Sequence, residues 1–92
     1  MNTAQTILSQ IKAIDPMALF AWGAVDLKNT GEGLMFKTSG MTPFKGSVYI
    51  KYNEGLDLYE IQFLRTQSTV AEKVEKEVYA EDLVRIIDGF VG

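Results

Sequence analysis

Apolar residues recur at three- and four-residue intervals from Thr3 to Ile14, where Ile7, Leu8, Ile11 and Ile14 mark one face of a short amphipathic helix. Asn2 or Thr3 is a suitable N-cap, and Asp15-Pro16 supplies a stop. After Met17 the period falls to two. Leu19, Ala21, Val25 and Leu27 alternate with Phe20, Trp22, Ala24 and Asp26; Leu34 and Phe36 alternate with Met35 and Lys37; Val48 and Ile50 alternate with Tyr49 and Lys51. A further run sets Tyr59, Ile61 and Phe63 against Leu58, Glu60, Gln62 and Leu64. The pattern predicts strands near 18–28, 34–39, 45–52 and 57–65.

A one-residue slip in an antiparallel pair would turn every apolar side chain outward, so the alternation constrains the pairing. Setting Leu27 opposite Leu34 also sets Val25 opposite Phe36. Setting Phe36 opposite Val48 places Leu34 opposite Ile50, and setting Val48 opposite Ile61 places Ile50 opposite Tyr59. The loops this requires are a tight turn at Thr30-Gly31, five residues from Gly40 to Phe44, and Asn53 to Leu56, all of ordinary hairpin length.

Val70, Val74 and Val78 suit either a helix or a strand. Continued at 100° per residue, a helix would turn them away from the later stripe of Tyr79, Leu83, Ile86, Ile87 and Phe90. A charged edge strand near 71–78 is the better expectation, although Thr69-Val70-Ala71-Glu72 has capping-box spacing. Ala80 to Asp88 reads as a second amphipathic helix, with Glu81 and Asp82 at its positive dipole end and Gly89 as its C-terminal cap.

The expected fold is therefore α+β: an antiparallel four- or five-stranded meander with an N-terminal and a C-terminal helix packed on one face. Its core is expected to hold Ile7, Leu8, Ile11, Leu27, Phe36, Val48, Ile50, Ile61, Phe63, Leu83, Ile86, Ile87 and Phe90. At 92 residues and 47% hydrophobic content, the chain is sized for a single domain.

Chemistry is limited by what is missing. The sequence has no histidine and no cysteine, which removes the commonest general base, the usual triad partner, the thiol nucleophile and the usual zinc ligands together. Gly31-Glu32-Gly33 is too short for a phosphate loop and falls where a turn is needed. Ser39, Ser47 and Tyr49 have no base at motif spacing, and the carboxylates concentrate in the exposed C-terminal part. No enzymatic activity, metal or cofactor is expected. The N-terminus lacks secretory-signal features, and no apolar run is long enough to span a bilayer, so a cytoplasmic protein without membrane contact is expected.

The net charge of −3 is carried by residues 72–92, whereas Gly33 to Asn53 contains Lys37, Lys45 and Lys51 and no acid. The alternation that turns Phe36, Ile50 and Ile61 inward sends Trp22, Met35, Tyr49, Leu58 and Leu64 to the opposite sheet face, beside those lysines. Such a face is expected to be a protein-interaction surface, for another protein or a second copy of the chain. Single-stranded nucleic acid stacked on the aromatics is the alternative, opposed by the acidic balance, and a purely structural homo-oligomer is a further one. Another possibility is that the 40–44 loop, with Met41 and Phe44, folds over Trp22 and closes the face.

Ile11-Lys12-Ala13-Ile14-Asp15-Pro16, Ala21-Trp22-Gly23-Ala24, Phe36-Lys37-Thr38-Ser39-Gly40 and Tyr79-Ala80-Glu81-Asp82-Leu83 are similar to stretches of small uncharacterised proteins from bacteriophage and mobile-element genomes. The resemblance implies an accessory protein, with no catalytic residues to carry over.

Overall fold

Helix α1, Thr3–Ile14, buries Ile7 and Ile11 of the expected stripe together with Ala4, whereas Leu8 is half-buried and Ile14, at the helix end, is 45% exposed. In this computed structural model, which describes residues 3–39, 44–65 and 70–91, the chain then departs from the expected long first strand. Asp15 and Pro16 end α1 and also restart a helix. The Asp15 carboxylate accepts the Met17 amide at 3.0 Å, and the Asp15 carbonyl accepts the Ala18 amide at 3.2 Å. The result is α2, Ala18–Trp22, which buries Ala18 and Trp22 one turn apart and stops at Gly23, whose φ of 63° is the left-handed conformation that glycine adopts without strain.

Five strands follow in one antiparallel meander of order β1-β2-β3-β4-β5: β1 Ala24–Asn29, β2 Gly33–Thr38, β3 Gly46–Asn53, β4 Leu58–Arg65 and β5 Lys73–Val78. The charged edge strand is present as β5. The start of the competing helical reading, Thr69, lies outside the described residues, as do Asn2 and the loop residues 40–43 with Met41.

Pairing of β2 with β3 is as expected, with Phe36 opposite Val48 and Leu34 opposite Ile50. The β3–β4 pairing differs by two residues: Val48 faces Phe63 and Ile50 faces Ile61, joined by a turn over Glu54 to Asp57. In β1, Ala24 faces Thr38 and Asn29 faces Leu34, with a bulge between Val25 and Lys28, so the expected Leu27–Leu34 and Val25–Phe36 pairs do not form. Leu27 consequently leaves the expected core and is 46% exposed. Gly46 is fixed by close packing, because a Cβ there would lie 2.0 Å from the Leu64 carbonyl oxygen.

The closing segment begins as a 3₁₀ turn, Ala80–Asp82, and becomes α3, Leu83–Val91. Gly89 does not cap it. The helix runs on because Val91 is fully buried and the Phe90 ring lies 4.2 Å from that of Phe63 and 5.1 Å from that of Phe44.

One core joins the helices to one sheet face, built on Ile7 and Ile11 of α1, Trp22 of α2, Leu34, Phe36, Val48, Ile50, Tyr59, Ile61 and Phe63 of the sheet, and Leu83, Ile87 and Val91 of α3. Leu8, Ile86 and Phe90 from the expected core are partly buried against it. Among the described residues no helix is long and apolar enough to cross a membrane.

Candidate functional site

The residues singled out from the sequence separate into two groups. Met35, Tyr49, Lys51, Leu58 and Leu64 are half-buried on the face opposite the helices, and Lys37 is exposed there. They share that face because they occupy the alternate positions to Leu34, Phe36, Ile50, Tyr59, Ile61 and Phe63, all of which are buried in the core. Lys45 is exposed just before β3.

Trp22 is not on this face. It is 1% exposed inside the helix-covered core, its ring stacked on Phe36 with centroids 6.1 Å apart, and its indole Nε1 donates to Asp88 Oδ1 at 3.2 Å. The physical reason is α2: in a five-residue helix Trp22 follows Ala18 at i+4 and turns with it into the core, whereas in a strand it would have alternated outward. Phe44 is also in the core, against Phe63 and Phe90, and so does not cover Trp22 from the open side.

Cross-strand register arranges the open face in rows. One runs Met35, Tyr49, Gln62 and Val74 across β2, β3, β4 and β5, a second runs Lys37, Ser47 and Leu64, and a third contains Lys51 and Glu60. The central apolar residues are therefore Met35 and Tyr49, with Leu64 diagonal to Tyr49 and within side-chain reach. Thr30 of the first hairpin donates its hydroxyl to Tyr49 Oη at 3.4 Å, and Gln62 Nε2 donates to Glu60 Oε2 at 2.8 Å.

The charges on this face are more balanced than the acid-free stretch of sequence suggests. Lys37 Nζ lies 3.7 Å from Asp26 and Lys51 Nζ lies 3.4 Å from Glu32, both acids coming from the β1–β2 hairpin. Exposed pairs of this kind contribute little to stability. Their effect here is to reduce the positive field that the lysines would otherwise project.

Sequence reasoning missed Val25 and Val74, both exposed at the sheet edges, where Val25 faces Lys37 and Val74 faces Gln62. For Val74 the signal was available, since it continues the Gln62 row once β5 is accepted. Val25 was hidden by the shifted start of β1.

Among the described residues no group of three His, Cys, Asp or Glu could hold a metal ion. Two tyrosines at the far end of the sheet have perturbed acidity. Tyr52 is pushed up to about 12, chiefly because it donates to the Asp57 carboxylate, and burial pushes Tyr59 up as well. Tyr59 Oη donates to Gln10 Oε1 of α1 at 2.6 Å, which fastens the helix layer to the sheet. Compared with protein-family models, curated proteins and solved structures, the chain matches none.

Proposed function

We propose that the chain is a non-catalytic interaction module that holds a protein partner on the open face of its sheet. The observation that carries this reading is the apolar group of Met35, Tyr49 and Leu64 at the middle of a face whose opposite side takes all three helices. An antiparallel sheet with one wet face ordinarily alternates apolar inside with polar outside. Here two aliphatic residues and an aromatic one occupy outward positions, ringed by Lys37, Lys51, Glu60 and Gln62, which is the pattern of an apolar interface centre with a polar rim.

A protein surface with a small apolar strip and charges of both signs at its margin suits this rim better than a polyanion. Stacking of single-stranded nucleic acid on Tyr49 has less in its favour, since Trp22 lies in the core and Lys37 and Lys51 stand beside carboxylates.

The test is a photo-crosslinking residue placed at Tyr49 in the host's extract, followed by reconstitution with the purified captured protein. Tyr49→Lys combined with Leu64→Lys is expected to weaken that binding at least about tenfold while leaving the unfolding midpoint nearly unchanged. Equal binding by this variant and the wild type would remove the open face from the explanation.

A further inference from the structure

On the open face, Tyr49 stands on the middle strand of five, and Lys37 and Glu60 lie diagonally opposite each other across it. Lys37 is on β2 beside Ser47, and Glu60 is on β4 beside Lys51. Ser47 and Lys51 are two residues before and after Tyr49, so the base and the acid are equally distant from it, each about 8 Å away along the sheet. Leu64 takes a third corner, on β4 beside Ser47, and Gly33, which has no side chain, takes the fourth, on β2 beside Lys51.

A surface with this pattern fits itself when turned over. Rotation by a half-turn about an axis in the plane of the face, through Tyr49 and perpendicular to the Lys37–Glu60 diagonal, exchanges the two charged corners. Each Lys37 then meets the second copy's Glu60, and the two Tyr49 side chains meet on the axis. With strands about 4.8 Å apart and residues about 3.4 Å apart along them, the same rotation sets Leu64 over the second copy's Val74, to within about 3 Å in projection. Val74 is the exposed apolar residue that the core leaves out, at 41%. The strands of the two sheets cross at roughly 70°, nearer the orthogonal than the aligned class of sheet packing.

We propose that the occupant of the open face is a second copy of this chain, packed face to face about this two-fold axis; the proposal rests on the open face being the interaction surface and names its partner. Charge balance favours a self-partner over a strongly charged one. Lys28, Lys37 and Lys51 on this side are balanced by Asp26, Glu32 and Glu60, so two such faces approach without net repulsion. Area sets the affinity class. Five strands of six to eight residues make a face of on the order of 550 Å² in projection, and side chains roughen the accessible surface beyond that. This reaches the low end of the roughly 600–1,000 Å² per partner of a specific interface. The sheet edges are the poorer route to association, since β1 and β5 are both bulged. Because both copies use the same surface, the contact closes at a dimer.

Charge reversal at the two corners tests the axis itself. In sedimentation velocity up to about 1 mM, the wild type is expected to dimerise with a dissociation constant on the order of 10–100 µM. Lys37→Glu alone sets acid against acid at both corners and Glu60→Lys alone sets base against base, so each is expected to weaken the dimer at least about tenfold. Mixing the two variants, or combining both changes in one chain, restores opposite signs at both corners and is expected to restore pairing. Denaturant midpoints confirm that the variants are folded. Single variants that dimerise as the wild type does, a mixture that fails to pair, or self-association that survives Tyr49→Lys with Leu64→Lys would each overturn the proposal. So would a wild type that stays monomeric to about 1 mM. Crosslinking through Tyr49 tells that failure from failure of the face itself: a monomer whose Tyr49 position captures a different protein still has an interacting face, and one that captures nothing does not.

Discussion

Trp22 shows how much one side chain changes its role with its backbone. On a strand it would have faced solvent or a partner; at the end of α2 it fills the space above Phe36 and donates its indole hydrogen to Asp88 of α3. It therefore joins α2, α3 and the sheet. Trp22→Ala is expected to destabilise the fold by about 3–5 kcal/mol, the range for truncating a large buried aromatic. Trp22→Phe keeps much of the volume but leaves the Asp88 bond unmade, at about 0.5–1.5 kcal/mol for that term. Denaturant midpoints at constant m-value measure both. If Trp22→Ala unfolded at the wild-type midpoint, the side chain would have to lie outside the core.

At the scale of elements, both edges of the sheet are broken in the same way. β1 carries a bulge with Asp26 at φ 54°, and β5 carries one with Glu77 at φ 57°. Bulges twist an edge away from regular pairing, so the two free edges resist continuing the sheet into another molecule. The conformation has a cost, because a side chain in the left-handed region is disfavoured by about 1–2 kcal/mol, less for Asp than for Glu. Glu77→Gly is therefore expected to stabilise the protein by up to about 1 kcal/mol, after the greater unfolded-state entropy of glycine is subtracted. A lower midpoint for Glu77→Gly would show that the Glu77 side chain contributes more than its backbone costs. The bulges also mark where the sequence stops being informative. A period of two fixes which face a residue takes but is blind to a slip of two, so the alternation places Ile61 and Phe63 on the correct face and leaves their partners on β3 two residues out. Ala18 to Trp22 satisfies either period over so few residues, and the helix signals there are Asp15, Pro16 and Gly23, of which Asp15-Pro16 both stops α1 and starts α2. The open face was legible in Met35, Tyr49, Leu58 and Leu64 because β2, β3 and β4 keep strict alternation; its presumed Trp22 was not, because it stands outside the sheet.

Across the whole molecule, α1 is held to the sheet by apolar packing and by a part-buried hydrogen bond from Tyr59 of β4 to Gln10. The phenols of Tyr59 and, on the adjacent strand, Tyr52 both resist ionisation, the first through burial and the second chiefly through its bond to Asp57. The sign of the consequence follows from linkage. A tyrosine whose folded pKa is raised keeps its proton above pH 10, where the unfolded chain has released it, so the folded state binds more protons and loses stability as pH rises. The contribution is complete below about pH 10 and declines through the folded value, which for Tyr52 is about 12. Alkaline titration is thus expected to show a tyrosinate absorbance component delayed to about pH 12 in the folded protein, and Tyr52→Phe is expected to remove it. Unfolding midpoints should fall between pH 10 and 12, and Tyr59→Phe should flatten that fall while lowering the midpoint at neutral pH, because it removes both the titrating group and the tie to α1. A Tyr59→Phe variant with the wild-type slope above pH 10 and an unchanged neutral midpoint would mean that packing alone holds the first helix to the sheet.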